Sequence, residues 1–431
     1  MPQATAEAET KIMLRRFSLY GFLKNQRYFE AWWLLAFLDK GISFTTWGLL
    51  VGFREVMINL MEIPTGAIAD LFGRRKSMII SFVAYIISFA IFGAVTRVPL
   101  LFLGMGFFAV GDAFRTGTHK AMIFSWLALE GRTSERTRTY GYTRSWSQYG
   151  SALSVVLGTA IVFLTRDYRY VFYVAVFPYV LGIINFLGYP KALDGVDTGK
   201  PVSLGDVAVH LRDALVVCLR KRDLRRVLLE SMGWTGLFKA AKDYLQPILA
   251  ITAAAWLAGG VEGPELAGAR HTALLLGPVY VVLYLLGAAA SRHTHRLVRT
   301  PDGEDQAARL LWVVSFFAFA VLIPATFWNV HTVMILGFVA LHVTQNLWRP
   351  VLVSRFDAHS AHQQKATILS IESQAGSLCA AVAAPVIGAA IDLLKSRGVT
   401  GGEEFWPVGV LGAVVAALFF FTAKPPAGET H

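Results

Sequence analysis

The sequence contains apolar runs too long and too continuous to lie against a water-soluble core. Residues 79–95 and 408–422 hold no charged side chain, and neither alternates polar with apolar positions. A helix of about 20 apolar residues crosses a bilayer, whereas a strand of a membrane barrel would show a period of two. Such runs predict membrane-spanning helices. The whole chain agrees, because only 16% of its 431 residues are charged and its mean hydropathy is +0.50. A soluble domain carries about 25% charged residues. At this length there is room for about twelve spans and none for a sizeable extramembrane enzyme.

Apolar runs and their polar interruptions place the spans at 17–38, 45–69, 78–95, 100–127, 140–164 and 170–189, then at 227–250, 272–290, 307–328, 332–353, 366–393 and 405–421. The polar segment 191–226, with Lys200-Pro201 and the run Arg220-Lys221-Arg222, reads as a linker holding a short surface helix. The expected organisation is therefore an N-terminal six-helix half (1–190), a cytoplasmic linker (191–226) and a C-terminal six-helix half (227–431). The net charge of +11 is a topology signal more than a nucleic-acid signal, since most Lys and Arg fall in loops on one side when both termini are cytoplasmic. No nucleic-acid partner is expected. The start lacks the apolar core of a removable signal, so the first helix is expected to direct insertion. Cys218 and Cys379 lie far apart and predict no disulfide.

The halves also look duplicated. Ser147-Gln148-Tyr149-Gly150-Ser151 recurs as Ser373-Gln374-Ala375-Gly376-Ser377, and Arg115 is matched by Arg349 in the tenth span. Gly66-x-x-x-Asp70 with Arg75 recurs, degraded, as Gly287-x-x-x-Ser291 with Arg296. All three matches have offsets of roughly 220–235 residues, as a single internal duplication requires.

The segment Glu62-Ile63-Pro64-Thr65-Gly66-Ala67-Ile68-Ala69-Asp70-Leu71-Phe72-Gly73-Arg74-Arg75-Lys76 joins the second and third spans. Gly66 lets a neighbouring helix approach, Asp70 is a carboxylate able to cap a helix or pair with arginine, and Gly73 permits a turn. Arg74, Arg75 and Lys76 hold the loop on the cytoplasmic side. This segment resembles the loop signature of the major facilitator superfamily and is closest to its bacterial efflux branch. Residues 111–127, with Arg115-Thr116-Gly117 and Ala121, are similar to that branch as well. The sequence departs from the branch in two places: Gly150 and Gly158 stand in the fifth span without the proline of drug–proton antiporters, and Gly104-Met105-Gly106 replaces an early arginine in the fourth. The resemblance implies an all-α membrane fold of two pseudo-symmetric six-helix halves, with Gly66, Asp70, Gly73, Arg74 and Arg75 as a gating motif.

Ionisable groups inside a membrane are costly and usually face a cavity or a partner. Asp112, Arg115 and His119 share a helical face at i, i+3, i+7, and Arg144 and Gln148 share another. Lys239, Lys242, Asp243 and Gln246 do so on the seventh span. His342, Gln345, Asn346 and Arg349 do so on the tenth, and Glu55, Asn59 and Glu62 on the second. Glu372 lies on the eleventh. From this set, Glu62, Asp112, Arg115, Arg144, Gln148, Lys239, Lys242, Asp243, His342, Asn346, Arg349 and Glu372 are the candidates for a solute cavity or for proton coupling. Interhelical ion pairs that fix packing are the competing account. The best coupling pairs are Asp112 with Arg115 and Asp243 with Lys239, because a carboxylate keeps its charge beside a cation and takes up a proton when the cation leaves. Charges at mid-depth nearly balance, which favours a polar or zwitterionic solute. Trp32, Trp33, Trp146, Trp234 and Trp348 are candidate aromatic contacts.

No phosphate-binding loop, zinc-protease motif or nucleophile elbow occurs, and His293 and His295 have no acidic or cysteine companion nearby. No cofactor, metal or enzymatic reaction is expected, and energy must come from a gradient. The expected function is secondary active transport of a small organic solute by alternating access, as proton-coupled export, from a monomer in the bilayer of the inner membrane. An uptake carrier or uniporter of a polar metabolite, and a transport-silent sensor with the same fold, stay open as alternatives.

Overall fold

Within a bilayer, backbone donors and acceptors must find partners inside their own segment, and the chain does so with helices; no strand occurs among the described residues. The structure is a computed structural model and describes residues 2–194, 204–257, 268–297, 303–359 and 365–422. In chain order the helices are α1 (Pro2–Leu23), α2 (Trp33–Leu38), α3 (Phe44–Phe72), α4 (Arg74–Ala94), α5 (Val98–Arg115), α6 (Thr118–Leu129), α7 (Arg136–Thr165), α8 (Tyr170–Leu187) and α9 (Leu204–Arg220). They continue with α10 (Arg222–Ala241), α11 (Leu245–Leu257), α12 (Ala269–His293), α13 (Gly303–Phe327), α14 (His331–His359), α15 (Lys365–Ser396) and α16 (Trp406–Thr422).

Among the described residues, eight helical stretches are long and apolar enough by themselves to cross a membrane. The other spans expected from the sequence are present in interrupted or charged form. The first is divided between α1 and α2 and the seventh between α10 and α11, while α3 carries Arg54, Glu55 and Glu62 and α14 carries Arg349 and Arg355.

The interruptions have local causes. Between α1 and α2 the Asn25 amide donates to the Ser147 carbonyl at 2.5 Å and the Gln26 amide to the Gly150 carbonyl at 3.1 Å. Side chains that reach for foreign carbonyls compete with a regular ladder, and the backbone there closes short turns such as Gln26 N–H to Leu23 O. The fourth span, expected to be continuous, breaks between α5 and α6 at Gly117, whose φ of 77° suits a residue without a Cβ. The seventh narrows to a 3-10 turn at Lys242–Tyr244 because Pro247 has no N–H to give to Asp243, four residues back. The linker helix α9 is a full 17 residues, and α10 starts at Arg222, earlier than the apolar pattern suggests. Residues 195–203 of the expected linker lie outside the described residues.

The chain forms two compact units, Met1–Ala36 with Val56–Val207, and Phe37–Glu55 with Ala208–His431. In the first, α4 packs on α5 and α8, and α1 packs on α7. In the second, α10 packs on α15, and α13 packs on α14 and α16. The duplicated word acquires a meaning here. A Cβ on Gly150 would lie 2.5 Å from the Phe22 carbonyl, so α1 and α7 meet at a glycine. On the matching seam, a Cβ on Gly236 would lie 2.4 Å from Cys379 Cβ and 2.9 Å from the Gly376 carbonyl. Small residues of this kind allow membrane helices to touch backbone to backbone. The serines of the two words serve the same seams: Ser151 Oγ accepts from Asn25 at 3.1 Å and Ser377 Oγ from Lys239 at 2.9 Å.

Aromatic side chains fill each core. Phe29, Phe89, Phe108, Tyr85 and Tyr179 interlock in the first unit, and Trp234, Trp312 and Trp348 in the second, with ring centroids 5.0 to 6.1 Å apart in the tryptophan cluster. Trp32, Trp33, Trp234 and Trp348 are buried in these cores, and Trp146 is exposed. In the second unit Asp392 of α15 accepts from the Phe44 N–H at 3.1 Å, the Thr45 N–H at 2.7 Å and the Thr45 hydroxyl at 2.6 Å. It thus caps the N-terminus of α3 from a distant part of the chain. Leu285, Val382 and Phe421 show the outward, lipid-suited faces of their helices.

Candidate functional site

In the first unit, two arginines from different spans share one carboxylate. Asp112, one turn before the end of α5, accepts from Arg115 at 2.8 Å and lies 3.5 Å from Arg27, a residue of the irregular stretch after α1. The Tyr85 hydroxyl of α4 donates to the same Asp112 oxygen and accepts from Arg115 Nε at 3.0 Å. The i, i+3 spacing of Asp112 and Arg115 thus brings them together as the sequence predicts. His119 departs from that face because Gly117 breaks the helix. It stacks on Tyr20, centroids 3.7 Å apart, and meets the Tyr189 hydroxyl at 3.2 Å.

Next to this group an open cavity of about 370 Å³ lies between α1, α6 and α7. Lys24 and Arg144 supply its charges, Asn25, Gln148, Thr143 and Ser147 its neutral polar groups, and Phe17, Tyr20, Tyr140 and His119 its rings. Arg144 and Gln148 share one face of α7, as their spacing requires. Lys24 sits over the Tyr20 ring at 5.6 Å, and its field is set by Arg115, Arg27, Arg144 and Asp112. Among the described residues no carboxylate pairs with Lys24 or Arg144, and none lines the cavity. Glu62, half-buried on α3, is not part of this lining.

The loop signature has a backbone role that can be read directly. Gly73 has φ 102°, a conformation that favours glycine, and from it α4 starts at once. Arg74 donates to Ser125 Oγ of α6 at 2.7 Å and Arg75 to the Tyr189 carbonyl after α8 at 3.2 Å. Both arginines therefore tie the loop to its own unit. Gly66 is exposed with open space beyond it. The side chain of Asp70 lies outside the described residues.

In the second unit every cation of the candidate set has an acid beside it. Lys239 donates to Glu55 at 2.8 Å, and Arg54 reaches the other Glu55 oxygen at 2.7 Å. The expected partner of Lys239 was Asp243; that residue pairs with Lys242 at 3.0 Å instead, because the 3-10 turn moves it off the face of α10. Arg349 binds Glu372 at 2.7 Å, and Ser231 donates to the second Glu372 oxygen. Asn346 turns back to the His342 carbonyl at 2.9 Å, and His342 to the Phe338 carbonyl at 3.0 Å. A further network was not apparent in the sequence: Arg355, 1% exposed, binds Glu230 at 2.7 Å and Asp305 at 2.8 Å, while Arg226 reaches Glu230 at 2.8 Å.

The sequence matches the profile of the Major Facilitator Superfamily over residues 31–371. No curated protein matches it. Among solved structures, a variant of the nucleoside transporter NupG superimposes with a TM-score of 0.77 at 12% identity, covering 95% of this chain and 100% of that one. A bacterial homologue of the human lysosomal transporter Spinster gives 0.69 at 14% identity, covering 96% of each chain. A D-xylose–proton symporter gives 0.61 at 15% identity, covering 97% of this chain and 98% of the other.

Proposed function

Because the chain belongs to the major facilitator superfamily and is a multi-pass membrane transporter, we propose that it moves a small organic solute by proton-coupled alternating access, with the first-unit cavity holding the solute. The observation that carries this reading is the placement of Asp112. It is a carboxylate deep in a helical span, shared between Arg115, Arg27 and Tyr85, beside an open polar cavity. Arginines that move away when the cavity changes access leave the carboxylate in apolar surroundings, where it takes a proton; their return releases it. Resemblance of residues 62–76 to the efflux branch supports export as the direction. The sign of the basic loops supports cytoplasmic termini and an inner-membrane setting. The loop signature at Gly66, Asp70, Gly73, Arg74 and Arg75 is proposed as the gate.

Transport by purified protein in proteoliposomes, with and without an imposed pH gradient, tests the reading. Asp112→Asn is expected to lose gradient-driven accumulation while keeping solute exchange. Full response of that variant to the gradient removes Asp112 from coupling, and absence of any solute movement by the parent protein removes transport.

A further inference from the structure

Resting on the transport reading, we propose that the solute is a small organic carboxylate, bound by Lys24 and Arg144 across the cavity between α1, α6 and α7.

The argument starts from charge. Lys24, Arg27, Arg115 and Arg144 outnumber the acids that act on them, which are Asp112, shared by Arg27 and Arg115, and Glu30, which acts on Arg27. A surplus of positive charge in a site walled by apolar helices is costly and is offset when an anion enters. The charges of the second unit show that this chain can pair its cations: Arg54, Lys239, Lys242, Arg349, Arg226 and Arg355 each have a carboxylate within 3.0 Å. In the first unit Arg115 and Arg27 have Asp112 at 2.8 and 3.5 Å, while Lys24 and Arg144, which border the cavity, have no carboxylate within 4.0 Å among the described residues.

The shape of the site narrows the ligand. About 370 Å³ lies at the small end of the roughly 300–1,000 Å³ typical of ligand pockets. Arg144 offers a planar fork that suits a carboxylate, and Lys24 a point charge. Asn25 is committed to Ser147 and Ser151, which leaves Gln148 as the amide that can report a second polar group on the solute. The rings of Phe17, Tyr20, His119 and Tyr140 give the cavity an aromatic lining for the body of the solute. A carboxylate on an apolar body satisfies both the charge and the lining.

Purified full-length protein in phosphatidylcholine nanodiscs, where no anionic lipid competes, is to be screened by thermal shift against aromatic and aliphatic carboxylates, each paired with its neutral amide. Phenyl phosphate and inorganic phosphate form a further arm. Carboxylates are expected to raise the unfolding temperature and their amides not to. Lys24→Gln and Arg144→Gln are expected to weaken binding at least about tenfold each, as loss of a hydrogen bond to a charged group implies. Arg144→Lys should retain part of the binding, and Arg169→Gln, in an exposed loop, all of it. Should a Gln variant fail to fold, the Lys variant and competition by phenyl phosphate still decide the matter. Equal shifts by the amides, phosphates bound in preference to carboxylates, no shift from any carboxylate, or undiminished binding in both Gln variants overturns the proposal. Transport of a neutral solute with carboxylates ignored overturns the anion site alone; carboxylates that bind yet are never moved overturn the transport reading and leave the site standing.

Discussion

The two units treat buried charge differently, although duplicated words in their sequences build matching seams. In the second, Glu55, Glu230, Asp305, Glu372 and Asp243 each hold a cation at 3.0 Å or less, and Glu230 and Arg355 are almost wholly inaccessible. In the first, Lys24 and Arg144 border a cavity, and Asp112 serves Arg27 and Arg115 together. Paired charges fix helices against one another. The proposed anion site lies where two cations have no such pair among the described residues. Matching seams thus pack both units, and under the proposal above the first alone leaves cations for a solute.

The strongest way to break this contrast is Arg355→Met. It leaves Glu230 buried with Arg226 and the Trp312 indole as its remaining partners, and loss of one member of such a group costs about 3–5 kcal/mol. Equilibrium unfolding of the purified protein checks it, and a loss below about 1 kcal/mol would mean that the network is ornamental to stability. The seams come next. Gly150→Val and Gly236→Val should each cost about 1–3 kcal/mol, because the added methyls meet the Phe22 carbonyl and the Cys379 Cβ respectively. Tolerance of one and not the other would show that the matching glycines have ceased to be equivalent. Asp392→Ala should cost about 1 kcal/mol, the usual value of a lost helix cap, and unfolding read through the second unit's tryptophans is the suitable probe. Smallest of all, Arg144→Gln should change stability by no more than about 0.5 kcal/mol, since the residue is exposed and has no carboxylate partner among the described residues. A cost comparable to that of Arg355→Met would place Arg144 among the packing charges.

How much of this was legible in the sequence depends on how far apart the deciding atoms lie. The helical spans follow from apolar runs, which are local. The break at Gly117 and the turn before Pro247 had local signals, but a hydropathy pattern averages over them. The break after α1 had none, because it depends on carbonyls of α7 more than 120 residues away. The site shows the same gradient. Asp112 with Arg115 is a helical spacing and could be read directly, whereas Arg27, Tyr85 and the Lys239–Glu55 pair converge only when separate spans pack. Arg355 escaped notice because it sits near the end of a long apolar helix, where a basic residue ordinarily marks the edge of the membrane.

The Asp392 cap carries a consequence for biogenesis. Thr45 and the acid that satisfies its N–H are 347 residues apart. At a synthesis rate of about 5–20 residues per second, roughly 20–70 s pass between translation of the two. For that interval α3 exists without the carboxylate that completes its first turn, and the segment Phe37–Glu55 precedes nearly all of the unit it will join. The second unit is therefore finished only when α15 has been made, so its folding is governed by one of the last spans to leave the ribosome.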